Sequence, residues 1–384
     1  MNELRRRLLA GAALACATGT ARAAEPDYPA VAPRRLDFPR DFGAHWPYRT
    51  EWWYLTGQLD AAPASRQPAL GLQLTFFRVR PSTDPDNPSR FAAHQLVLAH
   101  AALSDPRRGT LLHEERIARL GFGVATASDK DTGVEVDRWG LARDAATGAY
   151  RGLARGASFT IELTATPTQP PLLQGAQGYS RKGPDESAMS ARSSVAAASL
   201  YYSEPQLRLQ ARVHVEQAHG DDGAAGQPRS GRGWLDHEWT SAYLPQEAVG
   251  WDWVGFNLDD GSALTAFRIR HAAGAGEPFA YASLRPPGEA VRTFAPAQVR
   301  FEPLQTWTSP RTRTVYPVAM AIRIGARRFE TRPLMPDQEF DARASSGIVY
   351  WEGASELLED GRTAGRGYLE LTGYAAPVPA LLTG

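Results

Sequence analysis

The sequence predicts an all-β protein made of short antiparallel strands that close into barrels or pack as a sandwich. Three observations predict it. Leu70, Leu72, Leu74 and Phe76 alternate with Gly71, Gln73 and Thr75 in a clean period of two, the signature of a half-buried strand. Similar alternating runs recur at 158–165, 206–215, 251–258 and 319–324, and turn clusters such as Asp84-Pro85-Asp86-Asn87-Pro88, Asp221-Asp222-Gly223 and Asp259-Asp260-Gly261 separate such runs. Helical periodicity is scarce; one helix is expected, over 184–198. Short strands at regular spacing with tight turns belong to a barrel or a sandwich.

A chain of 384 residues suggests two domains of ordinary size. The polar, glycine-rich stretch 218–230 is either the linker between them or a long hairpin loop within one sheet. As a linker it divides the chain into an N-terminal domain over 38–218 and a C-terminal domain over 230–376, with a boundary near residue 225. No internal repeat relates the two halves.

The first 23 residues read as a signal peptide. Arg5, Arg6 and Arg7 form a positive region, a short apolar run follows from Leu8 to Cys16, and Ala21-Arg22-Ala23 is a small-residue cleavage site. The run is well short of the roughly 20 residues that a membrane span needs, and no later segment is long and apolar enough. A periplasmic or secreted location is expected, by the general or the twin-arginine route. Cys16 is the only cysteine and lies in the segment to be removed. The mature chain then has no thiol nucleophile, no cysteine-ligated zinc and no disulfide. Lys and Arg number 42 against 42 Asp and Glu, so nothing in the charge balance favours a nucleic acid partner.

Seven of the ten tryptophans fall in two windows. Trp46, Trp52 and Trp53 lie in the run from His45 to Tyr54. Trp234, Trp239, Trp251 and Trp253 lie in Gly233-Trp234-Leu235-Asp236-His237-Glu238-Trp239 and Gly250-Trp251-Asp252-Trp253. Such clusters form a flat apolar ligand surface or plug the ends of a barrel. In an extended chain, His237 and Trp239 share one face with Leu235, and Asp236 and Glu238 share the other. Asp252 shares its face with Val254, Phe256 and Leu258. There it is either a buried carboxyl with a raised pKa, able to act as a general acid, or a salt-bridged residue at a strand start. His100, inside an apolar strand, reads as a hydrogen-bonded core histidine. Asp236-His237-Glu238 fails the H-E-x-x-H pattern because Ser241 stands where the second histidine belongs. The sequence contains no G-x-S-x-G elbow, phosphate loop or dinucleotide fingerprint.

With these blocks, together with Leu200-Tyr201-Tyr202-Ser203, Asp337-Gln338-Glu339, Tyr350-Trp351-Glu352-Gly353 and the run from Gly367 to Tyr374, the chain resembles the family of AttH proteins and carotenoid 1,2-hydratases, also known as predicted secreted hydrolases. The resemblance spans about residues 38 to 375. It implies two lipocalin-like β-barrels in tandem. For the carotenoid members it implies addition of water to the terminal double bond of an acyclic carotene. That reaction needs a proton donor, a surface that tolerates a carbocation, and a water.

The expected function is therefore an exported hydratase or hydrolase-like enzyme acting on an apolar isoprenoid or lipid, or else a non-catalytic carrier of a hydrophobic ligand. Its site should lie where the barrels meet or at the mouth of one. Asp252 and His237 are the first choices for proton handling, followed by Asp236 and Glu238. Trp46, Trp52, Trp53, Tyr54, Trp239, Trp251, Trp253 and Tyr202 are expected to line the pocket. The expected partner is a hydrophobic small molecule; no cofactor or metal is expected.

Overall fold

Alternation of side chains across each strand sorts this sequence into two apolar interiors and one shared outer face. The computed structural model describes residues 27–378 apart from 62–67, 85, 184–196, 217–227, 246 and 273–278. The signal segment and nearly all of the expected helix at 184–198 lie outside the described residues. The first sheet holds β1 (Thr50–Leu59), β2 (Leu70–Val79), β3 (Leu96–Ser104), β4 (Leu112–Arg119), β5 (Ala125–Ala127), β6 (Gly133–Val136), β7 (Trp139–Arg143), β8 (Tyr150–Arg155), β9 (Phe159–Thr166), β10 (Leu172–Leu173), β11 (Tyr179–Arg181), β12 (Ala198–Val215) and β13 (Arg229–Ala242). The second holds β14 (Ala248–Leu258), β15 (Ala263–His271), β16 (Phe279–Arg285), β17 (Arg292–Phe294), β18 (Val299–Thr308), β19 (Val315–Ile324), β20 (Arg327–Pro333), β21 (Glu339–Ala342), β22 (Ile348–Glu359) and β23 (Arg362–Thr372). The helical segments among the described residues are short 3-10 turns at Arg40–Phe42 and Pro296–Gln298.

The first sheet runs in the order β4-β3-β2-β1-β13-β12-β9-β8-β7-β6-β5 and curls until β3 and β4 meet β6. The second runs β17-β16-β15-β14-β23-β22-β20-β19-β18 and curls until β16 meets β18. These are the two tandem lipocalin-like barrels. Trp53, Leu55, Leu72, Leu74, Phe76 and Leu235 fill the first. Val254, Phe256, Trp351, Leu357, Leu369 and Leu371 fill the second.

The division of the chain differs from the linker reading of 218–230. Strands β12 and β13, on either side of that stretch, pair with each other, and β13 also pairs with β1 along its length. The sheets therefore change over at 243–247, and β13 belongs to the first barrel. A linker and a hairpin loop share the same polar, glycine-rich composition; only strand pairing tells them apart.

The barrels touch through outward-facing residues of β1, β2 and β13 against those of β14, β22 and β23. Gly71 marks the closest approach: a Cβ there would lie 2.4 Å from that of Ala354 and 2.8 Å from the Tyr368 hydroxyl. Gln58 Nε2 donates to Ser355 O (2.8 Å) and Gly367 O (2.9 Å), and Tyr368 donates to Leu72 O (2.9 Å). Buried groups tied this way hold one barrel in register against the other.

Candidate functional site

Between the barrels lies a cleft lined by aromatic and acidic side chains. The first barrel contributes Trp52, Tyr54, Phe77, Tyr201, Asp236 and Glu238, and the second contributes Trp251, Trp253, Tyr350, Glu352 and Glu370. Strand parity explains the selection. Even-numbered residues of β1, β13, β22 and β23 face out of their barrels, so Trp52 and Tyr54, Asp236 and Glu238, Tyr350 and Glu352, and Glu370 all converge. At one end the half-buried Trp52, Phe77, Trp251 and Ile348 form the mouth, whereas Tyr54, Asp236 and Glu352 lie buried at depth.

Four carboxyl groups share this apolar space with few compensating charges. Asp236 accepts from Ser203 Oγ (2.5 Å) and Trp234 Nε1 (2.7 Å) on Oδ1 and from the Tyr201 hydroxyl (2.9 Å) on Oδ2. Burial still pushes its pKa up to about 7. Glu238 pairs through Oε1 with Lys182 Nζ at 2.7 Å, and Ser199 donates to the same oxygen. Burial raises Glu238 and lowers Lys182, each held back by the other. The ammonium of Lys182 also sits over the rings of Phe267 (4.4 Å), Tyr201 (5.0 Å) and Tyr243 (5.2 Å).

Glu352 and Glu370 face each other directly across β22 and β23, a like-charge pairing that disfavours double ionisation. Glu370 Oε1 accepts from Trp251 Nε1 (3.0 Å) and Thr372 Oγ1 (2.9 Å), and burial raises its pKa to about 7. Glu352 is raised well above the carboxylate range, first by burial and then by the charge of Glu370. Tyr54 donates to its Oε1, while its buried Oε2 has no hydrogen-bond partner among the described residues. An anionic oxygen so placed is costly, whereas a protonated one can point its hydrogen into the cleft.

The other expected site residues lie elsewhere. Asp252 points into the second barrel, where Arg268 Nε (2.5 Å), Arg270 Nε (3.1 Å) and the Tyr374 hydroxyl (2.9 Å) engage its oxygens. The salt-bridged alternative is the one realised. His237 points into the first barrel, with Nε2 2.8 Å from Glu51 Oε1 and Nδ1 3.0 Å from the Tyr202 hydroxyl. Glu51 also meets His45 Nδ1 (2.7 Å) and Arg78 Nε (2.8 Å), and His45 Nε2 reaches Asp41 (3.0 Å). Trp53 stacks on His237 and Trp239 stacks on His45, so Trp53, Trp239 and Tyr202 serve this interior cluster; Trp46 packs against the first core. His45, Glu51 and His237 offer ligand atoms within 4.8 Å of one another, but each already has protein partners and the Arg78 cation shares the carboxylate, a poor setting for a metal ion.

Of the expected residues, the cleft thus gathers Asp236, Glu238, Trp52, Tyr54, Trp251 and Trp253. Sequence reasoning missed Glu352, Glu370, Tyr201, Tyr243 and Tyr350. The alternation Tyr350-Trp351-Glu352-Gly353 was available as a signal, because it places a carboxyl and a phenol on one face opposite a core tryptophan.

Fold and cleft together define a tandem-barrel protein with an acidic, aromatic-lined chamber between its halves. The AttH-like family matches residues 29–374, and the chain belongs to that family. It is similar to a solved AttH protein of Nitrosomonas europaea: 45% identity, TM-score 0.79, over 91% of this chain and 99% of the other. Kievitone hydratase from Nectria haematococca shares the fold at 12% identity, with TM-score 0.63 over 92% of this chain and 98% of that one. No curated protein matches the chain.

Proposed function

We propose that this protein is a hydratase-like enzyme that adds water across a carbon–carbon double bond of an apolar, isoprenoid-like small molecule bound in the inter-barrel cleft. The observation that carries the reading is the buried Glu352 carboxyl, raised well above the carboxylate range and with Oε2 unpartnered among the described residues, in an aromatic-lined chamber. An alkene is a very weak base, so it requires a neutral acid placed against it away from water. Glu352 donates its proton to one alkene carbon. The cation that forms at the other carbon lies among the rings of Trp52, Trp251 and Trp253. Water attacks it and loses a proton to Glu238, whose ion pair with Lys182 favours the carboxylate. The acquired proton then returns to Glu352 through cleft water, so the step balances as alkene plus water to alcohol.

The name of kievitone hydratase lends support at the level of reaction class. A carrier of hydrophobic ligands would need the aromatic lining but not four buried carboxyls, each of which costs desolvation free energy. Export to the periplasm or the outside belongs to the same proposal, on the signal-like segment 1–23; a mature N-terminus near Ala24 by mass spectrometry supports it, and an intact Met1 contradicts it.

The test incubates the protein with a panel of acyclic isoprenoid alkenes and looks for products heavier by one water. Glu352→Gln should cut turnover by roughly 100-fold or more while ligand quenching of tryptophan fluorescence persists. Asp252→Asn should lower stability without that selective loss. Uptake of alkenes with no hydrated product from the wild type would favour a carrier, and unchanged turnover in Glu352→Gln would remove it as the acid.

A further inference from the structure

The mouth of the cleft and the most exposed large apolar side chains among the described residues lie at the same end of the first barrel. Strand register puts them there: Thr50 pairs with Val79, Val79 with Leu96, and Leu96 with Arg119. Thr50 lines the cleft, and Arg119 ends β4. Just beyond it, Phe91 and Phe122 project into solvent, 70% and 58% exposed, with rings stacked at 5.7 Å. Val124 is exposed beside Phe122. The Arg119 guanidinium lies over both rings, 5.4 Å from that of Phe91 and 4.9 Å from that of Phe122, and its NH1 donates to Phe91 O at 2.7 Å.

From this tip an apolar stripe leads back to the cleft. The exposed Ile117 pairs with Leu98, which is fully buried, and Leu98 pairs with Phe77, which lines the mouth. Ile348 from the second barrel packs on the same stripe and also lines the cleft.

We infer that the Phe91–Phe122 tip docks the protein on a lipid surface, which brings the mouth of the cleft to the membrane and an apolar substrate of the bilayer within its reach. The substrate part of the inference rests on the reading of the cleft given above; the docking part does not. Two rings with a guanidinium above them suit the boundary between acyl chains and phosphates, where aromatic side chains bury and arginine meets phosphate. Arg90 and Arg138 are exposed nearby, and Arg116 is paired with Asp137; Asp84 and Asp86 of the preceding turn are the opposing charges. The guanidiniums of Arg90, Arg119 and Arg138 around the rings favour anionic over zwitterionic lipid.

The experiment is co-sedimentation of the full chain with vesicles of phosphatidylethanolamine containing phosphatidylglycerol. The wild type should pellet with the vesicles, less so as phosphatidylglycerol is omitted or salt is raised. The double variant Phe91→Ser/Phe122→Asn should bind at least about 10-fold more weakly, since the two rings supply most of the apolar area the tip can bury. Asparagine is chosen because Phe122 has φ 57°, which asparagine tolerates. Quenching of cleft tryptophans by a short isoprenoid alcohol in lipid-free buffer should be equal in both proteins. Absence of that quenching with vesicle binding intact would defeat the cleft reading and leave docking standing. No vesicle binding by the wild type, undiminished binding by the variant, or a concentration-dependent dimer that the variant abolishes would each overturn the docking proposal.

Discussion

Two buried clusters of ionisable groups lie within a few residues of each other in the sequence, and they are built on opposite electrostatic plans. Inside the first barrel Glu51 and Asp41 are matched by Arg78, Arg34 and His45. Their partners hold both carboxyls below the usual range although burial alone would raise them. In the cleft Asp236, Glu238, Glu352 and Glu370 share, among the described residues, only Lys182 as a paired cation, and all four are pushed upward. A buried charge that is paired acts as a structural tie. A set of buried carboxyls left short of cations holds protons that it can give and take.

The most severe way to break this comparison is to remove the hub of the compensated cluster. Glu51→Gln leaves Arg78 and His45 facing a neutral amide in a site with no solvent. Loss of one member of such a pair costs about 3–5 kcal/mol, and chemical denaturation should read a loss of that order. A loss below about 1 kcal/mol would mean that the interior cluster is not what ties β1, β2 and β13 together.

A smaller, pH-dependent effect sharpens the contrast. Glu370 rises to about 7 in the folded chain from an ordinary value of 4.5. Below the ordinary value the group is protonated in both states; between the two values the folded state binds more protons, so stability falls as pH rises through this window and levels off above it. Removing the group in Glu370→Gln should flatten the slope of unfolding free energy between about pH 5 and 7, by up to about 3 kcal/mol across the window. The interior cluster has the opposite sign: its lowered carboxyls add stability above their unfolded values and lose it as pH falls further. An unchanged slope in Glu370→Gln would show that its carboxyl titrates normally.

Much of this was legible in the sequence. Alternation at 70–76 and 251–258 gave strands and their buried faces, and the parity of Asp236 and Glu238 against His237 and Trp239 is the parity of the structure. His100 is buried and hydrogen-bonded as expected, but at the seam between the barrels rather than in a core, 3.0 Å from both the Tyr350 and Ser345 hydroxyls of the second barrel. What parity cannot say is which face meets the other barrel. The apolar company of Asp252 made its face resemble a ligand cavity, yet that face is a filled core, and Arg268 and Arg270 arrive from the neighbouring strand β15. The cleft is assembled from residues as distant as Tyr54 and Glu352, whose meeting depends on how two separately closed barrels pack, and local periodicity carries no information about that. The same limit applies to 218–230, where composition is compatible with either a linker or a hairpin.

The central claim is that Glu352 stands protonated at neutral pH in the cleft. Carbon-13 NMR of protein labelled at the glutamate side-chain carboxyl, with Glu352→Gln assigning the resonance, reads its charge directly. The Glu352 carboxyl should be in its protonated position at pH 7, raised well above the ordinary carboxylate range. A Glu352 resonance already in its carboxylate position at pH 7, titrating in the ordinary range near pH 4.5, would contradict it.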